Sequence, residues 1–131
     1  MQIHPTLMQV RALAKSRSGH AAVELAFIAP AMLMFIFGIM EVGRVMWLQN
    51  ALDYAVVGAA RCMSNSPSTC GTASQAQSFA ASVSGAGFAT SVFTVTAASC
   101  GNKVTATYPV VLDIPYVTWS TTLTSQACYP T

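Results

Sequence analysis

Charge is what this chain has least of. Asp, Glu, Lys and Arg make up only 8% of its 131 residues, against about a quarter in an ordinary soluble domain, so much of its surface must meet something other than water. Basic residues beyond position 19 dwindle to Arg44, Arg61 and Lys103. They form no cluster, which argues against a nucleic-acid partner. Histidine is confined to His4 and His20, and after Arg61 the only charged side chains are Lys103 and Asp113. Acid/base and triad catalysis therefore lack their parts, and the chain reads as a non-enzyme. The cysteines, Cys62, Cys70, Cys100 and Cys128, include no CxxC pair and have no histidine near them. Neither a metal site nor any cofactor is expected.

What the chain does have is one long apolar stretch. Leu25 to Met40 carries no charge and would span about 24 Å as a helix; extended back to Ala21 it reaches about 30 Å, the thickness of a bilayer's hydrocarbon core. The helical pattern continues past Glu41 and Arg44 to Arg61. Leu48, Leu52, Ala55, Val56, Ala59 and Met63 recur at intervals of three and four, a stripe that needs a partner surface. Asn50 and Asp53 fall on the opposite side, and Asn65, Ser66 and Pro67 end the helix. Positive charge sits ahead of the apolar run, at Arg11, Lys15 and Arg17 with no acid among them, which places the N-terminus in the cytoplasm and the rest outside.

Pro30 removes one backbone bond, which membrane helices tolerate. Glu41 and Arg44 stand three apart at the outer membrane edge, as an interfacial pair or a contact to a neighbouring subunit, with Trp47 beside them as an interfacial anchor.

Beyond the helix, Thr72 to Val83 places Ala76, Phe79, Ala80 and Val83 at helical spacing between a Thr72 or Ser74 cap and Gly85. The period then falls to two. Phe93, Val95 and Ala97 alternate with threonines, as do Val104, Ala106 and Tyr108, around a Gly101-Asn102 turn. Pairing Cys100 with Lys103 sets Ala97 opposite Ala106, Val95 opposite Tyr108 and Phe93 opposite Val110. A third strand is expected over about Thr121 to Tyr129, with Leu123, Ala127 and Tyr129 on its apolar face.

All four cysteines lie on the oxidising side, where an even count reads as two disulfides with three possible pairings. Cys62 and Cys70 bracket a short segment containing Pro67, so Cys62–Cys70 with Cys100–Cys128 is favoured. The second bridge would require the third strand beside the first, or a bent end. The fold expected is α+β: a long N-terminal transmembrane helix, then a short helix and a small three-stranded, mainly antiparallel sheet packed on the outer half of the long helix.

Gly19, followed by His20, Ala21, Ala22, Val23 and Glu24 ahead of the apolar run, resembles a class III (prepilin) leader. On that resemblance a membrane-embedded peptidase cuts after Gly19, His20 becomes the first residue, and the apolar segment is retained. Three parts follow: a leader over 1–19, a long helix over 20–62 that spans the membrane at about 21–40, and an extracytoplasmic head over 63–131.

Glu24 is the residue whose cost needs explaining. A carboxylate at a membrane-helix centre costs about 2.5–3.5 kcal/mol on insertion scales, and less near an edge. The helix dipole and reach to the interface could accommodate it. In pilin-like subunits the corresponding glutamate is thought to pair with a neighbour's terminal amine.

The segments AAVELA (21–26), Pro30, GIMEVGR (38–44), Trp47 and ALDYAVVGAAR (51–61) together resemble the N-terminal signature of TadE-like proteins, the minor pilins or pseudopilins of the Tad (tight adherence, Flp pilus) machinery. Leu25 stands where many pilin-like proteins carry an aromatic, and the head is similar only in size and strand-rich character. The resemblance implies an assembly subunit of the bacterial inner membrane, with Glu24, Pro30, Glu41 and Arg44 as candidate assembly residues. It also implies contributions to pilus biogenesis, adherence and biofilm formation. The implied partners are the prepilin peptidase, the major Flp pilin, a sister pseudopilin, the inner-membrane Tad platform and membrane lipid. The competing expectation is an unprocessed membrane-anchored binding module or adhesin that uses the Thr-rich sheet.

Overall fold

A run without strand-like alternation, broken by one proline, folds as expected into one helix. The structure, a computed structural model, describes residues 18–114 and 117–130. Helix α1, Ser18–Asn65, is 48 residues long and holds Pro30 in its interior. The basic residues Arg11, Lys15 and Arg17, and most of the leader expected over 1–19, lie outside the described residues. The chain divides into two units, Met1–Ile39 and Met40–Thr131.

In the first unit the described residues are helical, and the side chains that would suit a bilayer stand uncovered: Val23, Leu25, Phe27, Ile28, Met32, Leu33, Phe35 and Ile39 are all exposed. This part of α1 is long and apolar enough to cross a membrane, and none of its most apolar window is buried.

The second unit is the α+β head. After α1 come a single helical turn, α2 (Pro67–Cys70), the helix α3 (Ala73–Val83), a 3₁₀ turn at Thr90–Val92, and the strands β1 (Phe93–Ala98), β2 (Gly101–Ile114) and β3 (Val117–Tyr129). Helix α3 starts where its sequence provides a capping box. The Thr72 hydroxyl accepts from the Gln75 amide, and the Gln75 side-chain oxygen accepts from the Thr72 amide, so two orphan donors of the first turn are satisfied. Gln77 then donates to the Phe93 carbonyl at 2.9 Å, tying α3 to the start of β1.

The stripe read along α1 is the floor of the core. Leu48, Leu52, Ala55, Val56 and Ala59 are buried, Met63 is half-buried, and Asn50 and Asp53 are exposed. Against them pack Phe88, Phe93, Val104, Ala106, Val110 and Leu123 in one cluster. Phe88 meets Phe93 edge-on at 6.3 Å and Tyr108 at 4.8 Å between ring centroids. The small side chains Ala51, Ala55, Ala59 and Ala60 are buried too, as a helix face must be where other elements approach it closely.

The strand order is β1-β2-β3, antiparallel throughout. Two expectations are corrected here. The turn joining β1 to β2 is Ser99-Cys100, not Gly101-Asn102, so Phe93 faces Ala106, Val95 faces Val104 and Ala97 faces Asn102. The slip is four residues, an even number, so every side chain keeps its face and alternation could not tell the two registers apart.

The second correction concerns the third strand, which lies beside the second. Cys100 nonetheless bonds Cys128, with 6.1 Å between their Cα atoms. It reaches because it sits in the turn before β2 instead of on β1, and Cys128 lies opposite Lys103 just along β2. Strand β3 also starts at Val117, four residues before the expected point, which makes the β2–β3 hairpin much the longer of the two. The other bridge, Cys62–Cys70, joins the end of α1 to α2 across 5.7 Å.

Gly101 is held in place by the same turn. Its φ is +114°, and a Cβ there would collide with the Tyr129 carbonyl oxygen and stand 2.7 Å from Pro130 Cα. Gly101→Ala is expected to destabilise the head by about 1–3 kcal/mol. Thermal unfolding of the detergent-solubilised oxidised chain should show the lowered midpoint, whereas Gly43→Ala, where a Cβ meets nothing within 4 Å, should not lower it.

Candidate functional site

Two groups of residues carry the functional expectations, one in each unit. In the first, Gly19, His20, Glu24 and Pro30 all lie on exposed helix. A Cβ built on Gly19 meets nothing within 4 Å, so packing within the fold does not demand a glycine there. Glu24 is exposed, and among the described residues no ion pair reaches it.

In the second unit Glu41 and Arg44 do meet. The Arg44 guanidinium donates through Nε at 3.0 Å and Nη2 at 2.8 Å to one carboxylate oxygen of Glu41. The same Nη2 also donates to the Val111 carbonyl of β2 at 2.6 Å. The pair therefore has a partner within its own chain, and Glu41 orients the arginine that holds the strand.

Among the described residues this contact is one of three, which the sequence did not anticipate. Gln49 Nε2 donates to Asp53 Oδ1 at 3.1 Å and to the Thr124 carbonyl at 3.2 Å. Arg61 donates through Nε to the Tyr129 hydroxyl and stands over that ring, 5.2 Å from its centroid. Arg44, Gln49 and Arg61 thus fasten β2 and β3 along α1, outside the apolar stripe. No local pattern could have found them. Two of the three acceptors are backbone carbonyls, which carry no sequence signature, and the third lies 68 residues from its donor.

Exposed contacts of this kind are worth little individually. Arg44→Met should cost less than about 1 kcal/mol globally. Its clearest effect should be local: faster amide exchange at the Ile114 end of β2 while exchange around Val104 stays slow, read by hydrogen exchange and mass spectrometry.

Among the described residues these contacts bring together no catalytic constellation. It can hold a small head to a helix and leave the helix's apolar part free to contact lipid or other helices. Comparison with known proteins bears on that part: residues 19–61 match the family model described as TadE-like protein. The match covers about a third of the chain, all of it within α1. The chain matches no curated protein and no solved structure.

Proposed function

We propose that this chain is a minor pilin or pseudopilin, a non-catalytic assembly subunit of a Tad-type pilus. It is held in the bacterial inner membrane by the first part of α1, with the N-terminus cytoplasmic and the head outside. A prepilin peptidase removes the leader after Gly19, leaving His20 as the first residue. Subunits then pack side by side through their apolar helices. The partners are the major Flp pilin, a sister pseudopilin, the Tad platform and the surrounding lipid, and the outcome is pilus biogenesis with the adherence and biofilm formation that depend on it.

One observation carries this reading: the stretch matched as TadE-like begins at the expected processing glycine and runs through an apolar helix whose side chains are left uncovered. Such an exposed face marks a lipid or protein interaction surface. An acidic side chain at its start, Glu24, suits a role that lets neighbouring subunits offset its cost.

The test is the N-terminus of the protein in wild-type cells. Mass spectrometry is expected to find a chain that starts at His20. A protein still starting at Met1 or Gln2 would favour the unprocessed anchored binding module and overturn the pilin reading.

A further inference from the structure

The β2–β3 hairpin is longer than the core it covers, and its uncovered end is apolar. The three fastenings set its direction. Arg61 meets Tyr129, which lies opposite Asn102; Gln49 meets Thr124, opposite Thr107; Arg44 meets Val111. As β2 advances, its contacts step back along α1, so the hairpin runs toward the Met40 end of the helix and continues past Arg44 to the pair Ile114 and Val117.

Facing pairs in a sheet share a face. Tyr108 with Leu123, Val110 with Thr121, Leu112 with Trp119 and Ile114 with Val117 therefore extend the core face. The core covers the first of these pairs and thins toward the last, with Leu112 and Ile114 half-buried. Leu123 and Val110 are buried, whereas Val117 is 56% and Trp119 69% exposed.

The only two tryptophans of the chain both lie near this level. Trp47, 55% exposed, lies three residues from Arg44 on the side of the head, about 4.5 Å along the helix. Trp119 pairs with Leu112, one strand residue past Val111 in the opposite direction, about 3.4 Å. Along α1 the two residues thus stand on either side of the Arg44 contact, their levels separated by about 8 Å, comparable to the headgroup layer on one side of a bilayer. Met40, Val42 and Met46 are exposed on the same part of α1.

We infer that the end of the β2–β3 hairpin is a second membrane contact. Trp119 and Val117 dock it into the headgroup layer of the bilayer that α1 crosses, alongside Trp47. This rests on the membrane-anchored reading given above and adds to it that the head is seated on the lipid surface. The chemistry fits that occupant: an indole offers an apolar body and one N–H donor, the combination enriched at membrane interfaces. Asp113, on the other face and bonded to the Thr118 hydroxyl at 3.3 Å, keeps its charge turned away from the docking side.

The test uses the full-length chain reconstituted in phosphatidylcholine–phosphatidylglycerol vesicles, with Trp47→Phe and Trp119→Phe as single-tryptophan reporters. In vesicles containing brominated phosphatidylcholine, Trp119 emission (read in Trp47→Phe) is expected to be blue-shifted. It should also be quenched as strongly as that of Trp47, at every protein-to-lipid ratio. Emission that stays water-like and unquenched while Trp47 is quenched would overturn the hairpin contact and leave the anchor standing. A blue shift that appears only as protein density rises would also overturn it, in favour of a second copy covering the patch. If neither tryptophan is quenched, the anchored reading falls as well.

Discussion

Glu24→Gln is expected to abolish fibre production while leaving the chain in the membrane and its leader removed. The substitution keeps size and hydrogen-bonding capacity and deletes only the charge. A neutral amide is easier to insert than a carboxylate, so membrane anchoring should be unchanged or improved. What the proposed assembly loses is the ion pair with a neighbour's amine, an interaction strengthened by the low dielectric of a helix bundle. Each subunit joining the assembly would forfeit it, and losses of about 1.4 kcal/mol per contact, each a tenfold change in an equilibrium constant, compound along the structure. Shed pili counted by electron microscopy, with the mature N-terminus checked by mass spectrometry, give the two readouts. Wild-type fibre yield and adhesion in Glu24→Gln would refute the assembly role of this residue.

Phe93→Ala is expected to unfold the head. Phe93 is 1% exposed, the bulkiest of the fully buried side chains, and packs edge-on against Phe88. Its strand partner is Ala106, too small to swell into the space left behind. Truncating a buried phenylalanine costs about 3–5 kcal/mol, a large part of the roughly 5–14 kcal/mol that a unit of this size has available at 0.05–0.15 kcal/mol per residue. Limited proteolysis should cut the variant's head rapidly where the parent resists. Thr96→Ala, on the exposed face of the same strand, should be indistinguishable from the parent. The two disulfides should keep the unfolded head compact, so reducing conditions are expected to widen the difference.

These two substitutions test different parts of the chain, and the parts were unequally legible. The apolar run from Leu25 to Met40, the stripe from Leu48 to Ala59 and the start of α3 at Thr72, one of two candidate caps, could each be read because their signals lie within a few turns of one another. Periodicity and capping are local physics. The register of β1 on β2 was not legible, because the two candidate turns differ by an even number of residues and both keep Phe93 and Val95 on the core side. Nor was the hairpin extension to Ile114 and Val117, since Pro109 and Val111 stand at outward positions and break the simple alternation of apolar and polar residues. The roles of Arg44, Gln49 and Arg61 stayed hidden for a related reason. Their partners are chosen by where a sheet comes to rest on a helix.

Alone, the sequence determined that this protein is a long apolar helix carrying a small disulfide-bonded α+β head, because helix length, charge and the direction of each apolar face follow from neighbouring residues. Tertiary structure decided which turn closes β1 onto β2, how Cys100 reaches Cys128 with the third strand beside the second, and where the hairpin end lies along α1. Those outcomes depend on contacts between residues far apart in the chain. Such contacts are settled only when Phe93 finds its place opposite Ala106 and Arg44 finds the Val111 carbonyl.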